Sequence, residues 1–183
     1  ARALQSYENA DRPYVHLFDG GLSENLGLNE VLRAFELLKV EPDMTVLPAL
    51  RQARKVVVIS VNALRFPEVD WDQSPEPPDT GILRDQMWSI PVDRISYDAV
   101  EQVREKLVAW QTDAPAGTER HGYLAQVTFD SLKDPAERHY YKQVKTSLTL
   151  PKDQVDQLRE VAGRLLRDAP AYQRLLSDLQ VQR

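Results

Sequence analysis

The residues whose types and spacing suggest chemistry fall in one string, "HLFDGGLSENLGL", residues 16–28. Tyr14, His16 and Phe18 alternate with Val15 and Leu17, which predicts a short strand over 13–19 ending at Asp19. A carboxylate at the carboxyl end of a strand faces the crevice in which open α/β sheets bind ligands. Gly20 and Gly21 follow directly, and without a Cβ they let another group come close to that acid. Taken alone, the triplet favours a plainer role: Asp19 can start a turn by accepting hydrogen bonds from the N–H groups of Gly21 or Leu22. Asn25 is expected to support the same loop through side-chain to backbone hydrogen bonds.

Other polar residues make poorer candidates. Ser23 sits in the acid's own loop and lacks flanking glycines. Ser60 follows a strand-like run, but Val58 and Asn62 stand where a nucleophile elbow has glycine, so a sheet residue is expected. His16 and Asp19 are three apart, and on a strand that odd separation sends the two side chains to opposite faces. His121 and His139 fall in an expected loop and an expected helix without ligand spacing, so no metal site is expected. Tyr140 and Tyr141 are read as packing residues, with a lipid-facing role as the alternative.

Several elements must position the loop. From Asn29, read as a cap, Val31, Leu32, Phe35 and Leu38 recur at helical spacing. "RKVVVISVNA" then reads as a strand buried on both faces, as in a parallel sheet between helix layers. Strand, helix, buried strand is α/β organisation. Residues 67–81, "PEVDWDQSPEPPDTG", carry four prolines and five acids and predict a mobile surface loop, with Trp71 pinned to the body. Ser96 is read as the cap of the next helix, with Val100, Val103, Leu107 and Trp110 as its apolar stripe. "GYLAQVTFDSL" predicts another strand, and residues 151–180 two closing amphipathic helices opened by Pro151 and Pro170.

Composition narrows the classes. The chain has 183 residues, no cysteine and a net charge of -5, which excludes disulfide and thiolate chemistry. Residues 1–119 hold 12 basic and 20 acidic side chains, and residues 120–183 hold 11 and 8. Neither part has the dense basic stripe that neutralises phosphates, so nucleic acid is not an expected partner. Peripheral contact of the C-terminal part with a membrane surface stays open. No apolar run approaches the roughly 20 residues that span a bilayer.

"YVHLFDGGLSENLGL" resembles the Asp-Gly-Gly segment of the patatin-like phospholipases, with Leu17-Phe18, Asp19, Gly20, Gly21 and Asn25-Leu26 at the matching positions. "VVVISVNA" looks like the core strand that follows it. "VKTSLTLPKDQVDQLREVAGRLLRDAPAYQRLL" resembles the tail of a bacterial branch of that family. The resemblance implies a three-layer α/β sheet with flanking helices, ending in amphipathic helices. It also implies a Ser-Asp dyad acting on acyl lipids or phospholipids, with Asp19 as the base and no cofactor. The matching Gly-x-Ser-x-Gly is absent, since none of the seven glycines are four apart around a serine. With the missing initiator methionine, this leads us to expect the C-terminal portion of a longer enzyme. By itself that portion would be inactive. A bacterial envelope or secreted location is the weak lean, and a non-enzymatic interaction domain of the same fold is the alternative.

Overall fold

The computed structural model describes residue 21 and residues 24–40, 52–64, 73, 75–77 and 79–180. The strand expected over 13–19, and with it Asp19, lies outside the described residues, as does Trp71. Seven elements follow in order: α1 (Leu28–Val40), β1 (Lys55–Asn62), α2 (Thr80–Thr112), β2 (His121–Thr128), α3 (Pro135–Gln143), α4 (Lys152–Asp168) and α5 (Pro170–Gln180). β1 and β2 pair in parallel, with Lys55 opposite His121 and Asn62 opposite Thr128. Helices cover both faces of this sheet, which makes the described chain α/β.

One face is closed by α1 and α2. Val58 of β1 is buried in one cluster with Leu28 and Phe35 of α1 and with Val100, Val103 and Leu107 of α2. The side chains follow the alternation of a strand, so Val58 and the partly buried Leu124 of β2 share this face. Lys106 of α2 pairs with Glu36 of α1 across the helix–helix contact. The expected stripe Val100, Val103, Leu107 and Trp110 is buried throughout.

The opposite face belongs to the C-terminal helices. Val127 packs with Phe129, Tyr141, Val161 and Leu165, and Ala125 lies under Ala169 and Ala171. Lys142 pairs with Asp130, and Arg164 with Glu137, which holds α3 and α4 together beneath the strand end. The two closing helices stand where the prolines predicted, Pro151 at the cap of α4 and Pro170 as the first residue of α5.

Several expectations are corrected. β1 is not buried on both faces: α4 and α5 lie over β2, leaving Val57, Ile59 and Val61 exposed by 38%, 46% and 59%. Helix α2 begins at Thr80, inside the span read as loop, and Ser96 is a buried mid-helix residue and not its cap. The cap is Asp79, whose carboxylate accepts from the Gly81 N–H at 2.7 Å. The helix then passes through Pro91, which lacks the N–H that would donate to the carbonyl of Met87. α1 begins at Leu28, so Asn29 lies within it and does not cap it. His121 opens β2 and is not a loop residue, and the strand ends at Thr128, where a 3-10 turn over Phe129–Ser131 takes over.

Two contacts fix the helices on the sheet. A Cβ on Gly122 would lie 2.8 Å from Gln111 Oε1 and 3.1 Å from Leu107 Cβ, so a larger residue here would have to push Gln111 and Leu107 of α2 back from β2. The Gly122 N–H donates to that same Gln111 oxygen. On the other face, the Tyr123 hydroxyl donates to the Asp178 carboxylate of α5, and Lys55 Nζ donates to the Asp178 carbonyl at 3.0 Å. Burial, then the Asp178 hydrogen bond and charge, push the Tyr123 hydroxyl up to about 12, with Arg174 opposing.

Gly122→Ala should lower unfolding free energy by about 1–3 kcal/mol, the cost of overpacking a closed contact, read by urea denaturation. Tyr123 binds its proton more tightly folded than unfolded. Its contribution is therefore complete below pH 10 and is lost as pH rises through about 12. Stability measured across that window should fall less steeply in Tyr123→Phe than in the parent chain.

Candidate functional site

At the carboxyl end of β1 the chain turns: the Asn62 carboxamide oxygen accepts from the Leu64 N–H at 3.0 Å. Beyond that turn lies an open cavity of about 510 Å³. Val61, Ala63 and Leu64 form its β1 side, and Phe129, Tyr141, Val144, Leu150 and Leu158 form its apolar wall. Its polar lining is Asn25, Lys145, Thr146 and Ser147. This placement, outside the carboxyl ends of parallel strands, is the one at which α/β sheets bind ligands.

The wall is ordered by aromatic contacts. Phe129 and Tyr141 stack with centroids 5.3 Å apart, and Tyr140 meets Tyr141 edge-on at 5.1 Å. The Tyr140 hydroxyl donates to Gln157 Oε1 at 2.7 Å, and the Tyr141 hydroxyl to the Gln157 carbonyl at 3.5 Å. Burial, followed by the Glu137 carboxylate, raises the Tyr141 hydroxyl above its ordinary range, so it stays a neutral donor. Tyr141 is a core residue and Tyr140 lies 45% exposed.

The acid loop enters this site through Asn25. Asp19 and Gly20 lie outside the described residues, Gly21 is half-buried, and Asn25 is exposed at the cavity. The visible support of the loop is a residue that sequence reasoning missed. Glu24 Oε1 accepts from the N–H groups of Leu26 at 3.1 Å and Leu28 at 3.0 Å. Leu28 opens α1, and its N–H is one of the donors a helix start leaves without an intrahelical partner. The left-handed turn of the loop falls at Gly27, with φ of 69°, a conformation that glycine reaches without strain. An acid just ahead of Asn-Leu-Gly-Leu, read as a turn closing onto a helix, is the signal that could have found it.

A second, smaller cavity of about 210 Å³ opens on the other face of the sheet, where Ser60 and Asn62 of β1 meet Asp93, Ser96 and Glu101 of α2. Ser60 is buried there as a sheet residue. His121 approaches Glu119 at 3.7 Å, and His139 lies within α3. Among the described residues no group of three or more His, Asp and Glu side chains could hold a metal ion, and no helix is long and apolar enough to cross a membrane.

The arrangement is suited to holding an apolar chain against Phe129, Tyr141 and Leu158, with its polar end toward Asn25 and Lys145. Removing the loop support should expose its energetic weight. Glu24→Ala is expected to cost about 1 kcal/mol in urea denaturation, and Glu24→Gln, which keeps an acceptor oxygen, clearly less.

No protein-family model, no curated protein and no solved structure matches this chain, so its functional reading rests on the cavity, the loop that borders it and the resemblance of that loop's sequence.

Proposed function

We propose that this chain is the C-terminal part of a patatin-like lipid acyl hydrolase in which Asp19 is the base of a Ser-Asp dyad. The observation that carries the reading is that Asn25, six residues beyond Asp19 in the same loop, lines a cavity walled mainly by apolar and aromatic residues. An acyl chain fits such a wall, and the ester carbonyl would then stand near the loop that bears the acid. The serine comes from outside these 183 residues. Its hydroxyl attacks the acyl carbonyl while Asp19 accepts the proton, the alcohol leaves with that proton, and water then releases the fatty acid.

Carboxylates, with an ordinary pKa of about 4, are weak bases toward a hydroxyl. Such a dyad therefore depends on alignment and on oxyanion donors more than on proton affinity. Glu24 and Gly27 would serve the alignment, because they set how residues 24–28 enter α1. The substrates of this reading are glycerophospholipids or other acyl lipids, met at a membrane or micelle surface, and the chemistry needs no cofactor.

A second reading, a non-enzymatic interaction domain of the same fold, draws on one observation. Leu83, Met87 and Ile90 of α2 are all exposed and recur at helical spacing, an apolar stripe suited to a partner protein.

The deciding experiment compares ester and phospholipid hydrolysis by the full-length protein and by its Asp19→Asn variant. The hydrolase reading expects a fall in kcat of about 10³-fold or more with the fold intact. Unchanged turnover in Asp19→Asn would remove Asp19 from the chemistry. The 183-residue chain alone should show no hydrolysis sensitive to serine-directed inhibitors.

A further inference from the structure

The smaller cavity, between α2 and the carboxyl ends of β1 and β2, carries more polar chemistry than packing requires. Val58 packs on α2, so Ser60 and Asn62, two and four residues further on, turn to the same face. Across the ladder Ser60 stands opposite Gln126 and Asn62 opposite Thr128, and all four line the cavity. On the helix, Ser96 lies one turn before the buried Val100 and Asp93 two turns before it, which brings both to the same gap.

Two of these groups are buried hydroxyls. Ser60 is 4% exposed and Ser96 3%, and among the described residues neither side chain has a hydrogen-bond partner. Buried polar side chains are almost always satisfied, and a serine inside a helix commonly turns its hydroxyl back to the carbonyl one turn earlier. Thr112 of the same helix does so, donating to the Val108 carbonyl at 3.0 Å, whereas Ser96 does not. Neither serine hydroxyl is sealed off, because the enclosed side-chain polar atom without a partner among the described residues is Arg120 Nε. Both hydroxyls therefore open onto the cavity, where a bound molecule completes their hydrogen bonds.

The charge of the lining says what kind of molecule fits. Asp93, Glu101 and Asp130 border the cavity, and its lining residues include no Lys, Arg or His. Glu101 is paired with Arg104 at 3.3 Å and Asp130 with Lys142, whereas the half-buried Asp93 has no ion-pair partner among the described residues. The cavity therefore favours a cation, met at Asp93. A metal ion does not fit, since no three His, Asp or Glu side chains among the described residues are placed to hold one. An ammonium group does, because one carboxylate takes its charge through a short hydrogen bond and its other N–H donors reach neutral oxygens.

We propose that this cavity binds a compact amino alcohol, with its ammonium on Asp93 and its hydroxyl groups on Ser60 and Ser96. The volume of about 210 Å³ lies below the roughly 300–1,000 Å³ of pockets for drug-sized ligands, so the occupant is small. The site lies on the opposite face of the sheet from the apolar cavity, and it requires nothing of hydrolysis.

Isothermal titration calorimetry of the full-length protein tests it, with serinol, which carries one ammonium and two hydroxyls, as the probe. Saturable binding is expected. Glycerol, which lacks the charge, and isopropylamine, which lacks the hydroxyls, should each bind at least about 10-fold more weakly. Asp93→Asn should weaken serinol binding by about 10-fold or more, and Ser60→Ala and Ser96→Ala by about 5-fold each. Circular dichroism confirms that each variant is folded. Should Asp93→Asn fail to fold, the three probes on the parent protein and the two serine variants decide. No saturable heat up to about 10 mM serinol, equal affinity for serinol and isopropylamine, or full affinity in both serine variants would overturn the proposal and leave the cavity to water only.

Discussion

Two parallel strands cannot be joined by a tight turn, so the chain leaving β1 at Asn62 must travel back along the sheet before it can enter β2 at His121. Most of what surrounds the sheet follows from that requirement. The return path is α2, and its apolar stripe has nowhere to go but onto the strands it connects. Gly122 then sets how closely it can lie, because the space its missing Cβ leaves is filled by Leu107 and Gln111. With one face taken by α1 and α2, the apolar residues of β2 on the other face are closed by α4 and α5. The Tyr123–Asp178 hydrogen bond ties the last helix to that arrangement.

The candidate site is a by-product of the same geometry. Strands that run in one direction bring their carboxyl ends to one side, and the turns leaving them form a rim. Asn62 closes the turn of β1, while the 3-10 turn after Thr128 places Phe129 in the aromatic wall. α4 supplies Leu158, and the segment between α3 and α4 supplies Leu150 and Lys145. Residues more than a hundred positions apart thus surround one cavity, bordered at Asn25 by the chain that leads into α1.

Much of this was legible because burial repeats with the period of the element. The α2 stripe, the strand character of 55–62 and the two helices opened by Pro151 and Pro170 were all visible in the residue pattern. What escaped did so for physical reasons. A run of Val-Val-Val-Ile signals apolar surroundings but cannot say how far a helix placed over β2 will reach across β1. The first sixteen residues of α2 were hidden because Thr80 and Gly81 end a stretch rich in proline and acid, and because Ser96 imitated a cap. Asp79 holds the real cap one residue before the helix, within a stretch whose composition reads as loop. Of the acid loop, the sequence pointed to Asp19 and Asn25, whereas Glu24 makes the backbone contacts that steer it into α1.

Pro91 also divides α2 into two lengths of unequal fate. The residues after it carry Ala99, Val100, Val103 and Leu107 into the core, and their hydrogen bonds can open only when the sheet face opens with them. The residues before it start at the Asp79 cap and turn Leu83, Met87 and Ile90 outward. At the junction the ladder lacks the bond that Pro91 cannot donate. The apolar side chains of the first turns thus face outward, while the crossover that closes the sheet is built from the residues after Pro91.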